Sequence, residues 1–279
     1  MKKLANSVAL VTGAGSGIGR ELALQLAKAK SRLVLSDINP DNLNETLRQC
    51  QNLGAEAIGQ VSDVANLEDI QVLHQRIETE FGVLDLLINN AGVAFRGEVA
   101  NTEYKDYEWV MGVNFWGVVY GCKELMPLLK KSSDAHIVNV SSVFGLMALP
   151  TQSAYNASKF AVRAFTESLQ QELSNTDINV SCVLPGGIKT NIIGNARASE
   201  NSDVSTELME AQKKEFAKSL KTTPEEAARV ILDGVKRNRK RILIGSDAIK
   251  IDRLVRLLPS LYTKVVELTV SFSEKRLAR

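Results

Sequence analysis

Short apolar runs rich in β-formers recur along the chain at "VALVT" (8–12), "RLVLS" (32–36), "EAIGQV" (56–61), "LDLLIN" (84–89), "HIVNVS" (136–141), "INVSCV" (178–183) and "RILIG" (241–245). Most are separated by stretches with apolar residues at helical spacing, such as Ile18, Leu22, Leu26 and Ala29. A strand that is apolar along its whole length has no face to offer to water. It must be covered on both sides, and helices between successive strands supply both the cover and the crossover that parallel pairing requires. The alternation therefore predicts an α/β fold: one doubly wound, mainly parallel sheet of seven strands with helices on both faces. No Pro/Gly/Ser-rich linker interrupts the pattern, so residues 1–279 read as a single domain.

Composition narrows the function classes. Hydrophobic residues make up 44% and charged residues 24%, an ordinary globular balance, and a net charge of +2 gives no broad field to attract nucleic acid. Cys50, Cys122 and Cys182 are far apart and odd in number, which argues against a disulfide framework. Neither His74 nor His136 stands at metal-ligand spacing to a cysteine or another histidine, so no metal site is expected. The opening "MKKLANSVALVTGAG" has too short an apolar run for a signal peptide, and no stretch reaches the roughly 20 apolar residues that span a bilayer. A cytoplasmic location is expected.

"VTGAGSGIGRELALQLA" puts Gly13, Gly17 and Gly19 directly after the first predicted strand, where a helix opens. Glycines there let backbone approach a pyrophosphate, and a helix N-terminus supplies free N–H groups and a partial positive charge. The second strand ends in Asp37, 18 residues past Gly19, which is the context of a Rossmann-type dinucleotide site. A carboxylate at that place accepts hydrogen bonds from the adenosine ribose and repels a 2′-phosphate. Its neighbours Ser36 and Ile38, and Gly15 and Ser16 of the loop, are uncharged, so NAD(H) is favoured over NADP(H).

Tyr155 and Lys159 in "SAYNASKFAV" are four residues apart and share a helical face. Together with the TGxxxGxG spacing, this is where the chain resembles the short-chain dehydrogenase/reductase family, from Val8 to about Thr190. The resemblance implies that Gly13, Gly15, Ser16, Gly17, Ile18 and Gly19 cradle the cofactor, and that Asp63 and Val64 of "SDV" contact the adenine. In "NNAG" it implies that Asn90, Ala91 and Gly92 approach the ribose while the motif steadies the sheet. Pro185, Gly186, Ile188 and Thr190 of "PGGIKT" match the loop that holds the nicotinamide carboxamide. Asn114 in "VNFWG", Ser142 in "VSS", 13 residues before Tyr155, and Tyr155 and Lys159 themselves match the catalytic tetrad. In that tetrad the tyrosine moves the proton, the lysine favours its phenolate and binds the nicotinamide ribose, the serine holds the substrate oxygen, and the asparagine fixes a water of the proton relay. A homodimer or homotetramer is also expected. The alternative, a non-catalytic dinucleotide sensor on the same scaffold, has no need of the tyrosine and lysine that this chain keeps.

The substrate signal is weaker. Phe95, Phe144, Leu146, Met147, Leu149, Ile192, Ile193, Leu208, Met209 and Phe216 either line a site for a lipophilic alcohol or carbonyl compound or simply pack the fold. The long connection 186–223 is expected to be a hinged lid, with a helix around 206–220. Beyond the last strand, residues 246–279 carry apolar residues at helical intervals around Pro259, interleaved with Lys250, Arg253 and Arg256. Helices packing on the domain or a partner subunit are favoured there over an interfacial membrane contact.

Overall fold

The computed structural model describes residues 3–192, 194–199, 220–264 and 266–267. The described strands are β1 (Val8–Thr12), β2 (Arg32–Asp37), β3 (Ala57–Val61), β4 (Leu86–Asn89), β5 (Phe95–Arg96), β6 (Ala135–Val140), β7 (Ile178–Pro185), β8 (Arg197–Ala198) and β9 (Arg241–Ile244). Seven of them form one sheet in the order β3-β2-β1-β4-β6-β7-β9. Every pairing in it is parallel. The described helices are α1 (Gly17–Lys28), α2 (Pro40–Asn52), α3 (Leu67–Phe81), α4 (Tyr104–Met111), α5 (Gly117–Glu124), α6 (Met126–Leu129), α7 (Ser153–Glu172), α8 (Pro224–Lys236) and α9 (Ser246–Leu257).

The two-sided burial predicted for the strands is clearest in β1, whose five residues are all buried. Ala9 and Val11 point into one core with Leu22 and Leu26 of α1 and Ile231 and Val235 of α8. Val8 and Leu10 point into the other, with Leu73 and Ile77 of α3 and Val162 and Leu169 of α7. Local signals place the helix ends. The Asn39 side chain accepts from Asn42 N, with Pro40 in the first turn of α2. Asn66 caps α3 in the same way, and α3 stops at Gly82, whose φ of +71° suits glycine.

Three features were not foreseen. β5 and β8 form a separate parallel pair, Phe95 opposite Arg197, which ties part of the expected lid to the loop after "NNAG". Gly112–Trp116 is a π-helical turn between α4 and α5. β7 also runs on to Pro185, so it reaches the cofactor-loop motif. Residues 200–219, which include all but the last residue of the expected lid helix, and residues 268–279 of the expected tail lie outside the described residues. The described part of that tail forms α9, which ends before Pro259, and is helical again at residues 262–264 and 266–267.

This topology fixes where a site can lie. From β1 the chain builds outward to β3, then returns to β4 on the other side of β1 and builds outward again. Loops leaving the C-terminal ends of β1 and β4 therefore diverge and leave a crevice between them.

Candidate active site

The glycine loop and "NNAG" are joined across that crevice. Thr12 Oγ1 accepts the N–H groups of Asn90 and Ala91 at 3.0 and 3.1 Å. Asn90 Nδ2 donates back to the carbonyls of Thr12 and Gly13 at 3.0 and 3.2 Å. A Cβ on Gly13 would come within 2.8 Å of Ala91 Cα, at a φ of +64° that disfavours other residues. A Cβ on Gly19 would lie 2.0 Å from Gly13 O. These two glycines are thus demanded by the protein's own packing.

The start of α1 is what fits a ligand. Ser16 stands at its N-cap, exposed, with no side-chain capping bond and no acidic residue in the first turn. In α2 and α3 the equivalent donors are met by asparagine caps beside acidic residues. The N–H groups of Gly17, Ile18 and Gly19 have no carbonyl within their own helix to reach, and the dipole favours an anion there. A dinucleotide pyrophosphate fits this cradle. Thr190 closes it from the other side: a Cβ on Gly17 would meet Thr190 Cγ2 at 3.1 Å.

Asp37 ends β2 beside the loop. Its Oδ2 accepts Gly15 N at 2.7 Å and its Oδ1 accepts Asn39 N at 2.9 Å, so the carboxylate shapes the glycine loop. The sequence reading found no cation adjacent to Asp37 in the chain. The structure brings Arg20 to the loop, where its guanidinium donates to Gly15 O and, at 3.0 Å, to Thr46 Oγ1. Asp63 Oδ1 accepts Ala65 N at 2.9 Å, turning the chain from β3 into α3 and presenting Val64 against Gly117.

The four tetrad positions gather at the ends of β4 and β6. Asn114 lies on the π-helical turn and is fully buried. Its Oδ1 accepts Val93 N at 2.8 Å, and its Nδ2 donates to Val93 O and Ser158 Oγ, both at 3.0 Å. The wide turn sets this side chain facing the strand-end loop, and π turns of this kind recur at functional sites. Ser142 follows β6, and its Oγ accepts Phe144 N at 3.1 Å. Tyr155 and Lys159 share one face of α7, with Lys159 Nζ 5.7 Å from the Tyr155 ring centroid. Lys159 is buried and donates to Val140 O at 3.0 Å. Gly92 opens onto the group: a Cβ there would lie 3.1 Å from Asn114 Oδ1 and 3.4 Å from Lys159 Nζ.

Burial sets the resting state of the pair. It pushes the Tyr155 phenol up to about 12, with a hydrogen bond to Ser142 working the other way. Burial also lowers the Lys159 ammonium to about 8. By itself the protein therefore holds the phenol protonated at neutral pH.

Two of the apolar candidates are packing residues rather than lining. Phe95 is buried with Val110 and Ala154, and Leu146 with Cys182 and Leu184. Phe144 stays partly exposed and meets the Tyr155 ring edge-on at 5.9 Å between centroids. Leu208, Met209 and Phe216, like Ile193, fall outside the described residues.

Sequence reasoning also missed Asn156, which clamps the segment after Ser142. Its Nδ2 donates to Phe144 O and Met147 O at 3.0 and 2.9 Å, and its Oδ1 accepts Leu149 N at 3.3 Å. Its adjacency to Tyr155 was the one available signal. Asn139 links Asn89 to Thr166 through side-chain bonds of 2.9 and 3.1 Å, a buried ladder across β4, β6 and α7. Among the described residues no group of three or more His, Cys, Asp or Glu is placed to hold a metal, and no helix is long and apolar enough to cross a membrane.

The sequence pattern of the short chain dehydrogenase family matches residues 7–201. The chain is 43% identical over 268 residues to the oxidoreductase SadH of Mycobacterium tuberculosis, covering 95% of this chain and 96% of that one. It is 32% identical over 273 residues to human estradiol 17-beta-dehydrogenase 11, covering 97% and 85%. Among solved structures, a short chain dehydrogenase/reductase from Burkholderia phymatum in complex with NAD superposes with a TM-score of 0.84 at 32% identity, covering 94% of this chain and 97% of that one. A short-chain dehydrogenase from Streptomyces avermitilis follows at 0.80 and 26%, covering 96% and 99%. With this sheet order, this strand-end crevice and these matches, the chain belongs to the short-chain dehydrogenase/reductase family.

Proposed function

We propose that this oxidoreductase transfers a hydride between NAD(H) and a lipophilic secondary alcohol, or the corresponding ketone or aldehyde, with Tyr155 as general acid/base. The observation that carries the reading is the convergence of Ser142, Tyr155 and buried Lys159 beside Gly92, next to the glycine cradle. When bound, the nicotinamide supplies the hydride acceptor or donor and, in its oxidised form, a positive charge.

The chain's own groups do the rest. The cradle from Gly13 to Gly19 binds the pyrophosphate, Asp37 the adenosine ribose, and Asp63 and Val64 border the adenine. Lys159 holds the nicotinamide ribose, and the 185–190 loop holds the carboxamide. Ser142 donates to the substrate oxygen and stabilises charge that grows on it. In oxidation Tyr155 takes the hydroxyl proton, and in reduction it returns it. A phenol raised by burial is a poor base alone, so positive charge brought beside it is what makes the phenolate accessible. Asn114 fixes the water that links Lys159 to solvent.

NAD(H) is supported by Asp37 at the end of β2 and by the NAD-bound relative. A lipophilic substrate is supported by the partly exposed Phe144 against Tyr155 and by a relative named for estradiol, a secondary alcohol on an apolar frame. The test is absorbance at 340 nm across a panel of apolar secondary alcohols and ketones, run beside Tyr155→Phe. The wild type should turn over at least one of them. The variant should lose about 10²-fold or more in kcat, the usual range for removing a general acid/base, with NADH affinity within about twofold, since the ring remains. Turnover by the variant within a few-fold of the wild type would overturn the role of Tyr155.

A further inference from the structure

The loop from Pro185 to Thr190 is held by a carboxylate that lies outside the stretch matched by the family pattern, which ends at residue 201. Asp247 sits in the first turn of α9, and its Oδ2 accepts Gly187 N at 2.7 Å. Glycines make the room for it. A Cβ on Gly186 would fall 2.2 Å from Asp247 Oδ2, and one on Gly245 would fall 2.3 Å from Oδ1. Gly245 has a φ of +94°, so the turn from β9 into α9 favours glycine on backbone grounds too.

The other ties on the loop are made by backbone. Gly186 N donates to Ile244 O and Lys189 N to Thr222 O, both at 2.9 Å, and Ile188 bridges Thr222. Of these ties, the Asp247 contact is the only one made by a side chain, so substitution can remove it alone. A carboxylate suits the place: the start of α9 favours negative charge, and a charged acceptor at 2.7 Å makes a stronger bond than a neutral one. The far end of the same loop touches the cofactor cradle, through Thr190 against Gly17.

We infer that Asp247 is a positioning residue for the cofactor site: by pinning Gly187 it sets the height of the 186–190 loop over the nicotinamide end of the cradle. Helix α9 is thereby part of the cofactor site rather than an appendage to the sheet. This rests on the proposed reading of the 185–190 loop as the holder of the nicotinamide.

The test compares NADH with ADP-ribose, which lacks only the nicotinamide ring, by calorimetric titration of wild type, Asp247→Ala and Asp247→Asn. The alanine variant should bind NADH about three- to tenfold more weakly, the scale of one charge-assisted hydrogen bond near the surface, while ADP-ribose affinity stays unchanged. The asparagine variant keeps a neutral acceptor and should recover most of the loss. If wild type bound NADH no more tightly than ADP-ribose, the loop's assigned role would fall and the pin with it. If wild type preferred NADH and Asp247→Ala kept the full preference, only the pin would fall. Equal losses for both ligands would mean that Asp247 supports the fold as a whole and would also overturn the inference.

Discussion

Replacing Asp37 with Asn separates two things this carboxylate does. Its two oxygens accept Gly15 N and Asn39 N. An amide offers one oxygen, so one of those N–H groups would face an NH2 and the glycine loop would loosen. That cost, about 1–2 kcal/mol for a partly exposed charge-assisted bond, weakens both cofactors alike. The charge acts on one of them only. A 2′-phosphate carries close to two negative charges, and each unit pair at about 4 Å costs about 1 kcal/mol in water and about 4 kcal/mol at an effective dielectric of 20. Asp37 is partly exposed, which places it toward the lower figure. Removing its charge should therefore shift the NADH-to-NADPH ratio of kcat/KM by at least about tenfold toward NADPH. Taking the ratio cancels the loop term. Arg20, bonded to Gly15 O and Thr46, stays in place in the variant and adds a cation near the same end of the cradle. The assay is initial rates with both cofactors at one substrate concentration. A wild type that already prefers NADPH, or a variant ratio within twofold of wild type, would refute the reasoning.

Lys159→Ala should lower both turnover and NADH affinity, because the ammonium serves the phenol and the ribose. In wild type, NADH affinity should fall as pH rises through about 8, where the buried ammonium loses its proton. Affinity measured from pH 7 to 9.5 checks this, and a flat profile in wild type would remove the ribose contact. His136, buried on β6 with its Nε2 2.7 Å from Ser181 Oγ, should make stability depend on acid. Burial lowers its folded-state pKa to about 3 from the ordinary 6.5, so the folded chain binds fewer protons than the unfolded one between those values. Its contribution is present above about pH 6.5 and is lost as pH falls, by up to about 1.4 kcal/mol per unit. Urea unfolding at pH 7 and 5 should show His136→Gln losing about 2 kcal/mol less than wild type between the two. Equal losses would place the acid sensitivity elsewhere.

What could be read without coordinates was whatever is written in short-range order. A strand buried on both faces leaves an unbroken apolar run, so "VALVT" coincides with β1 residue for residue. Motif spacing located the Asp37 carboxylate and the Tyr155/Lys159 pair because one strand, or one turn of helix, fixes each relation. Two-residue strands have no period, so the β5–β8 pair left no trace in the sequence. The π turn at Asn114 is one extra residue per turn within a run that otherwise reads as helix. Asp247 belongs to no motif in the sequence. Its contact with Gly187 joins residues 60 positions apart, and nothing local to either predicts it.

On the proposed reading Lys159 is a ligand-binding group, and its surroundings support that role better than a packing role. It is 3% exposed, and its hydrogen bond among the described residues runs to Val140 O. Lowering its pKa from 10.5 to about 8 corresponds to a cost of about 3 kcal/mol in keeping the ammonium charged. One carbonyl and the face of a tyrosine ring 5.7 Å away do not offset that, and a leucine or methionine would fill the same volume without desolvating a charge. The neighbouring asparagines behave differently. Asn89, Asn139 and Thr166 form a chain of side-chain bonds that ends on Val162 O, as a structural network does. An ammonium has three donors, and Lys159 commits one of them to Val140 O while lying against Gly92. A buried charge that the fold itself leaves under-paired is stabilised by what binds beside it. Ligand binding should therefore raise the lysine's pKa, and NADH should be taken up with a fraction of a proton between pH 8 and 9, measurable from the buffer dependence of the binding enthalpy. No proton uptake in that window would mean that the charge is balanced within the protein after all.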